Sequence, residues 1–303
     1  MWSLAAVETP DGMVRTVALT ADGQIAPIEV LPPTTGPLEI LRDWARFAPI
    51  LRQWTPAKAA PLETGRLRAP LRFPPKVICA GANYRDHRRE MKTADAPVEP
   101  FFFLKPPSTT VIGPGDEIII SDRSDQVDWE AEIAVVIGRG GRFIQPEAAM
   151  QHVAGYTLLN DVSARAALQR PNAISPAFAF DWLASKGQDT FCPIGPGITP
   201  SWFLPDPAAI KFDLSVNGVT KQSASTSELV TDIPHLIAAA SSLMALEPGD
   251  LIATGTPGGV GMAKGEFLDD GDVVVLNAAG IGTLSNRVRL QQSKRADAVR
   301  TAA

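Results

Sequence analysis

Two cysteines and three histidines are all that a chain of 303 residues holds of the side chains most used for disulfides and zinc sites. Cys79 and Cys192 lie far apart among apolar neighbours, and no Cys-x-x-Cys pattern occurs. This argues against a disulfide framework or a zinc ribbon and for buried free thiols in a reducing compartment. No run of lysines and arginines interrupts a net charge of -5, so neither nucleic acid nor an anionic membrane surface is expected as a partner. No apolar run approaches the roughly 20 residues that cross a bilayer. The opening residues, Met1 to Glu8, carry neither the basic nor the long apolar segment of an export signal, so a cytoplasmic protein is expected. What remains is a globular composition, 45% hydrophobic and 20% charged, with length for one large domain or for a small and a large one.

Residues 1 to about 34 read as short strands broken by turns at Pro10-Asp11-Gly12 and Ala21-Asp22-Gly23. Leu38, Ile40, Leu41, Trp44, Phe47, Ile50, Leu51 and Trp54 recur at mostly three-to-four spacing, which predicts one helix from Leu38 to Trp54. The proline-rich stretch from Pro56 to Pro75 reads as a connector. A small N-terminal α+β domain is therefore expected over residues 1–70, a main domain over 71–290 and a flexible tail over 291–303. The main domain reads as mostly β: Val77 to Ala80, Val111-Ile112, Glu117 to Ile120, Phe212 to Val216, Leu251 to Thr254 and Asp272 to Leu276 are strand candidates. Asn217-Gly218 is a strong hairpin signal. Pro-Gly-Asp and Asp-Gly-Asp turns before apolar runs suggest rolled sheets or a barrel. Helices are expected at about Ile233 to Ala245 and near Asn83 to Met91.

The strongest chemical signal is Asp128-Trp129-Glu130-Ala131-Glu132 running into the apolar stretch Ile133 to Ile137. Residues two apart on a strand share a face, so Glu130 and Glu132 point the same way, and Asp161 closes the next apolar run. Three acids converging on one sheet face repel one another unless protons or a cation neutralise them. A hard divalent ion with oxygen ligands answers that need, Mg²⁺ or Mn²⁺, with Ca²⁺ also compatible. The alternative is that one or both glutamates sit on the solvated face of an edge strand. His87 and Glu90 stand three apart on a predicted helical turn, where a carboxylate orients an imidazole, although a surface ion pair has the same spacing. His152 and His235 show no comparably spaced acid on a helix face and read as structural or surface residues.

Five segments, in order, resemble the fumarylacetoacetate hydrolase family over roughly residues 70 to 290: Asn83 to Glu90, Asp128 to Gly138, Gly155 to Arg165, Ser185 to Pro196, and Pro248 to Gly261. The resemblance implies a mixed β-sandwich roll around a metal, a homodimer, and cleavage of a carbon-carbon bond in a 1,3-dicarbonyl or 2,4-dioxo acid such as an acylpyruvate. It implies Glu130, Glu132 and Asp161 as metal ligands, His87 and Glu90 as the pair that activates water, and Lys186 as the lysine that steadies enolate charge, with Asp189 as a possible partner for it. Arg165, Gln169 and the loop carrying Gly255 and Thr256 would contact substrate. Two other outcomes fit the same residues: decarboxylation of a 2-oxo acid or isomerisation of a dienoic diacid, and, more distantly, a non-catalytic metal-dependent binding protein. The chain departs from the family at Leu168, where a glutamine is expected three residues past Arg165; Gln169 follows one step later. Residues 170–182, proline-bearing and aromatic, read either as a lid or as a packed surface loop.

Overall fold

The structure, a computed structural model, describes residues 1–32, 34–57, 59–60, 65–92, 99–122 and 124–291. Its larger sheet has eleven strands. Along the main path these run Ile25–Pro27, Val14–Thr20, Trp2–Glu8, Cys192–Pro200, Val153–Asn160, Ala131–Ile137, Leu251–Ala253, Val77–Ala80 and Phe102–Lys105. Arg66–Arg68 and Val111–Ile112 pair off that path, with Trp2–Glu8 and Cys192–Pro200. A second sheet of five strands runs Val219–Ser225, Lys211–Val216, Val273–Ala278, Gly282–Leu290 and Ile118–Ile120. The mixed, mostly β architecture expected from the sequence is the one observed.

The strand Ala131–Ile137 shows how the layers form. Ile133, Val135 and Ile137 share a core with Leu214, Leu276 and Val288 of the second sheet, while Ala134 and Val136 share another with Leu41, Phe47 and Leu51 of the N-terminal helices. Period-two alternation thus lets one strand serve two cores, and all seven residues are buried. Each fully buried valine or isoleucine is worth about 1.5–3 kcal/mol. The strand is interior, paired along its whole length with Val153–Asn160 and over three residues with Leu251–Ala253. The edge-strand alternative for Glu130 and Glu132 therefore falls.

The first seventy residues enter the same sheet. Trp2–Glu8 pairs with Val14–Thr20 along its length and meets Cys192–Pro200 through Leu4 and Ile198. Arg66–Arg68, inside the stretch read as a connector, is a strand on the other side of Trp2–Glu8. The single helix expected from Leu38 to Trp54 is two, Pro37–Arg42 and Trp44–Gln53. Asp43 leaves helical geometry (φ -118°, ψ 40°), and its carbonyl accepts from the Arg46 and Phe47 N–H groups to start the second helix. Asn217 and Gly218 both have positive φ, 50° and 77°, as the predicted two-residue hairpin requires. Ile233–Leu243 forms as expected, capped by Asp232, which accepts from the His235 N–H. The expected flexible tail falls on residues 292–303, outside the described residues.

Candidate active site

Glu130 precedes and Glu132 belongs to the interior strand, and Asp161 follows its antiparallel partner; one carboxylate oxygen of each lies within 4.8 Å of the others. All three are buried, with exposures of 6%, 1% and 0%. Backbone and amide bonds hold the two strand ends together: the Asp161 N–H donates to the Glu130 carbonyl (2.8 Å), and the Glu130 N–H donates to Asn160 Oδ1 (3.0 Å).

Three cations reach into the cluster. Lys186, at the end of Trp182–Lys186, donates to Glu130 Oε2 (2.7 Å) and Asp161 Oδ2 (2.8 Å). Lys105, fully buried at the end of Phe102–Lys105, donates to Asp161 Oδ1 (2.5 Å) and the Val162 carbonyl (3.1 Å). Arg165 pairs with Asp128 Oδ1 (2.7 Å) and Glu130 Oε1 (2.6 Å). Burial works against the Lys186 ammonium, yet Asp161 and Glu130 outweigh it and hold its pKa above the ordinary lysine value. Burial likewise opposes ionisation of Glu130, but Lys186 and Arg165 prevail and hold it below the usual carboxylate range. Glu132 goes the other way. Burial, then the charges of Asp161 and Glu130, push its pKa well above the ordinary value, because its hydrogen bond comes from the neutral Gly255 N–H (2.7 Å) rather than a cation.

A second group of residues stands beside the acids. His87, 5% exposed on Arg85–Glu90, lies with Nδ1 3.3 Å from Glu90 Oε2. The Gly259 N–H donates to both Glu90 oxygens (3.1 and 3.2 Å). Burial would raise the Glu90 pKa, but the His87 and Gly259 hydrogen bonds outweigh it and lower it. Asn83, just before the His87 helix, is clamped to the Thr231 and Thr254 carbonyls (2.9 Å each), so the helix and the 254–261 loop are positioned as one unit. Gly255 sits at φ +94°, and a Cβ there would come within 2.9 Å of Asn83 Cβ; only glycine brings its N–H to Glu132 in this conformation.

The family profile described as Fumarylacetoacetate (FAA) hydrolase C-terminal matches residues 76–289. The chain belongs to the fumarylacetoacetate hydrolase family. It is 42% identical over 222 residues to a mitochondrial oxaloacetate tautomerase of Homo sapiens, a match covering 73% of this chain and 68% of that protein. Among solved structures it resembles a 5-carboxymethyl-2-hydroxymuconate delta-isomerase from Mycobacterium smegmatis (TM-score 0.74, 36% identity, 97% of this chain and 100% of that one). It also resembles a maleylpyruvate hydrolase from Sphingobium sp. SYK-6 in complex with manganese(II) ion and pyruvate (TM-score 0.74, 30% identity, 95% and 100%). These relatives are enzymes, and the chain is an enzyme of the same family.

The donor set fits a divalent ion. Lys105, Lys186 and Arg165 stand against Asp128, Glu130, Glu132 and Asp161, so among the described residues the cluster carries one more carboxylate than cation. The one without a cationic partner is Glu132, and all donors are hard oxygens of the kind Mg²⁺ and Mn²⁺ accept.

Not every expected residue lands in this fumarylacetoacetate-hydrolase-like site. Asp189 is exposed and does not pair with Lys186, whose ammonium is taken by Glu130 and Asp161. Gln169 is exposed, its backbone bridged to Phe180, and no hydrogen bond or ion pair joins it to the acids. Arg165 reaches the site but is held by two carboxylates. Thr256 is buried, its hydroxyl donating to the Ala131 carbonyl (3.1 Å) and accepting from Gln222 Nε2 (2.9 Å). The anionic oxygen met by the Gly255 N–H belongs to Glu132. His235, read as lacking a spaced acid, has one: Asp232 Oδ1 lies 2.6 Å from its Nδ1, and both side chains are about three-fifths exposed, a surface pair. Lys105, Asp128 and Gln222 were missed as site residues. The signal for Lys105 was a charge closing the aromatic run Phe101-Phe102-Phe103-Leu104 before Pro106. Both cysteines are free and buried, as expected. No helix of the described residues is long and apolar enough to cross a membrane.

Proposed function

We propose that this chain is a divalent-metal-dependent enzyme of short 2-oxo acids that works through their enol form, moving a proton at the carbon beside the 2-oxo group as a keto–enol tautomerase. The observation that carries this reading is a buried imidazole, His87, fixed by Glu90 on a helix whose leading Asn83 is clamped to the Thr254 carbonyl, next to the Gly255 N–H that meets Glu132. The 42% identity to an oxaloacetate tautomerase supports the choice of reaction. An ion on Glu130, Glu132 and Asp161, Mg²⁺ or Mn²⁺, would supply a Lewis acid that polarises the 2-oxo group. With Nδ1 turned to Glu90, His87 keeps Nε2 to take the proton from carbon as the enolate forms, the enolate oxygen then gaining its proton from solvent, and to deliver a proton to carbon in the reverse direction as the oxygen gives its own up to solvent. Proton transfer of this kind contributes about 10² to 10⁴-fold. Lys186, charged and buried, offsets negative charge that grows on the substrate oxygens.

Hydrolysis of a carbon-carbon bond in a 2,4-dioxo acid is the second reading. The maleylpyruvate hydrolase likeness favours it, since the same His87 and Glu90 can take the proton from water instead of carbon. The test offers metal-loaded protein oxaloacetate and a panel of acylpyruvates in heavy-oxygen water. Faster decay of the oxaloacetate enol absorbance without new products supports tautomerisation. A new carboxylate carrying solvent oxygen supports hydrolysis instead. Neither reaction from protein shown to hold metal rejects both readings.

A further inference from the structure

Far from the acids, at the opposite ends of the same two strands, a cleft of about 660 Å³ opens between the helix Trp44–Gln53 and the turns at Gly138–Gly140 and Ser201-Trp202. Glu132 and Asp161 mark one end of the strands Ala131–Ile137 and Val153–Asn160, and Arg139 and Val153 mark the other. At about 3.3 Å per residue the two sites stand roughly 20 Å apart. The volume lies within the range of small-ligand sites, roughly 300–1,000 Å³.

The lining is built from donors. Arg42, Arg52 and Arg139 all face the cleft, and none forms an ion pair or hydrogen bond with a carboxylate among the described residues. The lining acid, Asp43, is engaged by Arg46 (3.6 Å), and Glu247, the acid that feels Arg42, is taken by Lys76 (2.5 Å). Trp202 adds a buried indole N–H with no partner. Arg52 is not loose. The Arg52 guanidinium lies over the Trp202 ring at 5.4 Å, Trp202 stacks on Trp44 at 5.7 Å and 14°, and Trp44 is seated against Gly138, where a Cβ would approach its ring to 2.5 Å. Guanidinium, two indoles and a glycine thus form one stack that fixes Arg52 at the mouth of the cleft.

We propose that this cleft binds a phosphate ester, a second ligand site separate from the acidic cluster. Three guanidiniums without a carboxylate partner call for an anionic acceptor, and guanidinium forks match phosphate oxygens two at a time. A phosphate monoester carries nearly two negative charges near neutral pH, a better match to three guanidiniums than a single carboxylate. Ala45, Ala48 and Pro248 give the organic part an apolar wall.

The full, metal-loaded chain is titrated calorimetrically with phenyl phosphate, inorganic phosphate and benzoate, with tryptophan fluorescence as a second readout. Phenyl phosphate should bind saturably and perturb the tryptophans, inorganic phosphate should compete for the same site, and benzoate should bind at least about tenfold more weakly. Arg52→Gln and Arg139→Gln should each weaken phenyl phosphate by about tenfold or more, the effect of losing one charged hydrogen-bond donor. Arg15→Gln, on an exposed arginine outside the cleft, should leave binding unchanged. Lys186→Met, inside the acidic cluster, should also bind like the parent; loss of binding there would place the phosphate on the metal site and overturn the proposal. So would the absence of saturable binding, equal affinity for benzoate, or indifference to both cleft substitutions in proteins whose thermal melts match the parent.

Discussion

Replacing Glu132 by glutamine should strengthen the metal-free protein and disable it at once. Glu132 is 1% exposed and receives its hydrogen bond from the neutral Gly255 N–H, while Glu130 and Asp161 place negative charge beside it. An ion buried without a counter-charge costs several kcal/mol, part of which protonation relieves. Glutamine keeps the acceptor for Gly255 and turns a donor toward Glu130 and Asp161. We therefore expect Glu132→Gln to stabilise the metal-free fold by about 1–3 kcal/mol near neutral pH, with each kcal/mol worth about 1.5 °C of melting temperature in a chain of this size. The pH dependence has a definite sign. The folded-state pKa of Glu132 stands above the unfolded value of 4.5, so its contribution is complete below that pH and is lost as pH rises through the folded value. Metal-free parent protein should lose stability over that rise relative to Glu132→Gln. Metal restores the parent, adding about 2.7 kcal/mol when present at a hundred times its dissociation constant, and should add nothing comparable to the variant. Thermal melts in chelator and in Mn²⁺, across pH, read all of this. A metal-free variant that melts below the parent while still binding Mn²⁺ normally would refute the reasoning.

His87→Asn and Glu90→Gln should each lower kcat by about 10² to 10⁴-fold while leaving metal content unchanged by elemental analysis, because neither is among the three acids proposed to hold the ion. Arg165→Met leaves Asp128, fully buried and already pushed up to about 6 by burial, without its ion pair, and should cost roughly 3–5 kcal/mol in urea unfolding; adding Asp128→Asn should recover part of that loss. Cys79 and Cys192 are fully buried, and burial pushes the Cys192 thiol up to about 12, so neither should react with a thiol reagent in native buffer and both should react in guanidinium. Leu168→Gln should shift kcat/KM toward substrates with a polar tail by roughly tenfold, read as a ratio over a panel of 2-oxo acids.

Which parts of the site could be read in the sequence follows from distance along the chain. Glu130 and Glu132 share a face through an alternation that is a local property of a strand, and His87 and Glu90 meet within one helical turn, so both pairs were legible. Asp161 needed only the next strand of the same hairpin-like pair. Lys105 reaches Asp161 across 56 residues, and the Gly255 N–H reaches Glu132 across 123, on strands whose order in the sheet no local pattern dictates. Asp128 was visible beside the glutamates, but its role depends on Arg165, 37 residues away. The helical stripe from Leu38 to Trp54 was correctly apolar yet could not reveal the break at Asp43, because two helices bent over one sheet bury the same residues as one.

The departure at Leu168 can be judged by the turn that carries it. Arg165–Ala167 is a 3-10 turn, and the Leu168 N–H donates back to the Arg165 carbonyl (3.2 Å). In such a turn, with three residues per revolution, side chains three apart eclipse, so the residue sharing the Arg165 side is Leu168 and not Gln169. Gln169 points elsewhere, exposed beside Phe180. A backbone slip that would carry the glutamine into the vacated role is therefore absent, and hydrocarbon occupies the position next to an arginine already tied to Asp128 and Glu130. On the proposed reading that substrate passes Arg165, the half-buried Leu168 favours an apolar segment over a second hydrogen-bonding group at that point of the ligand.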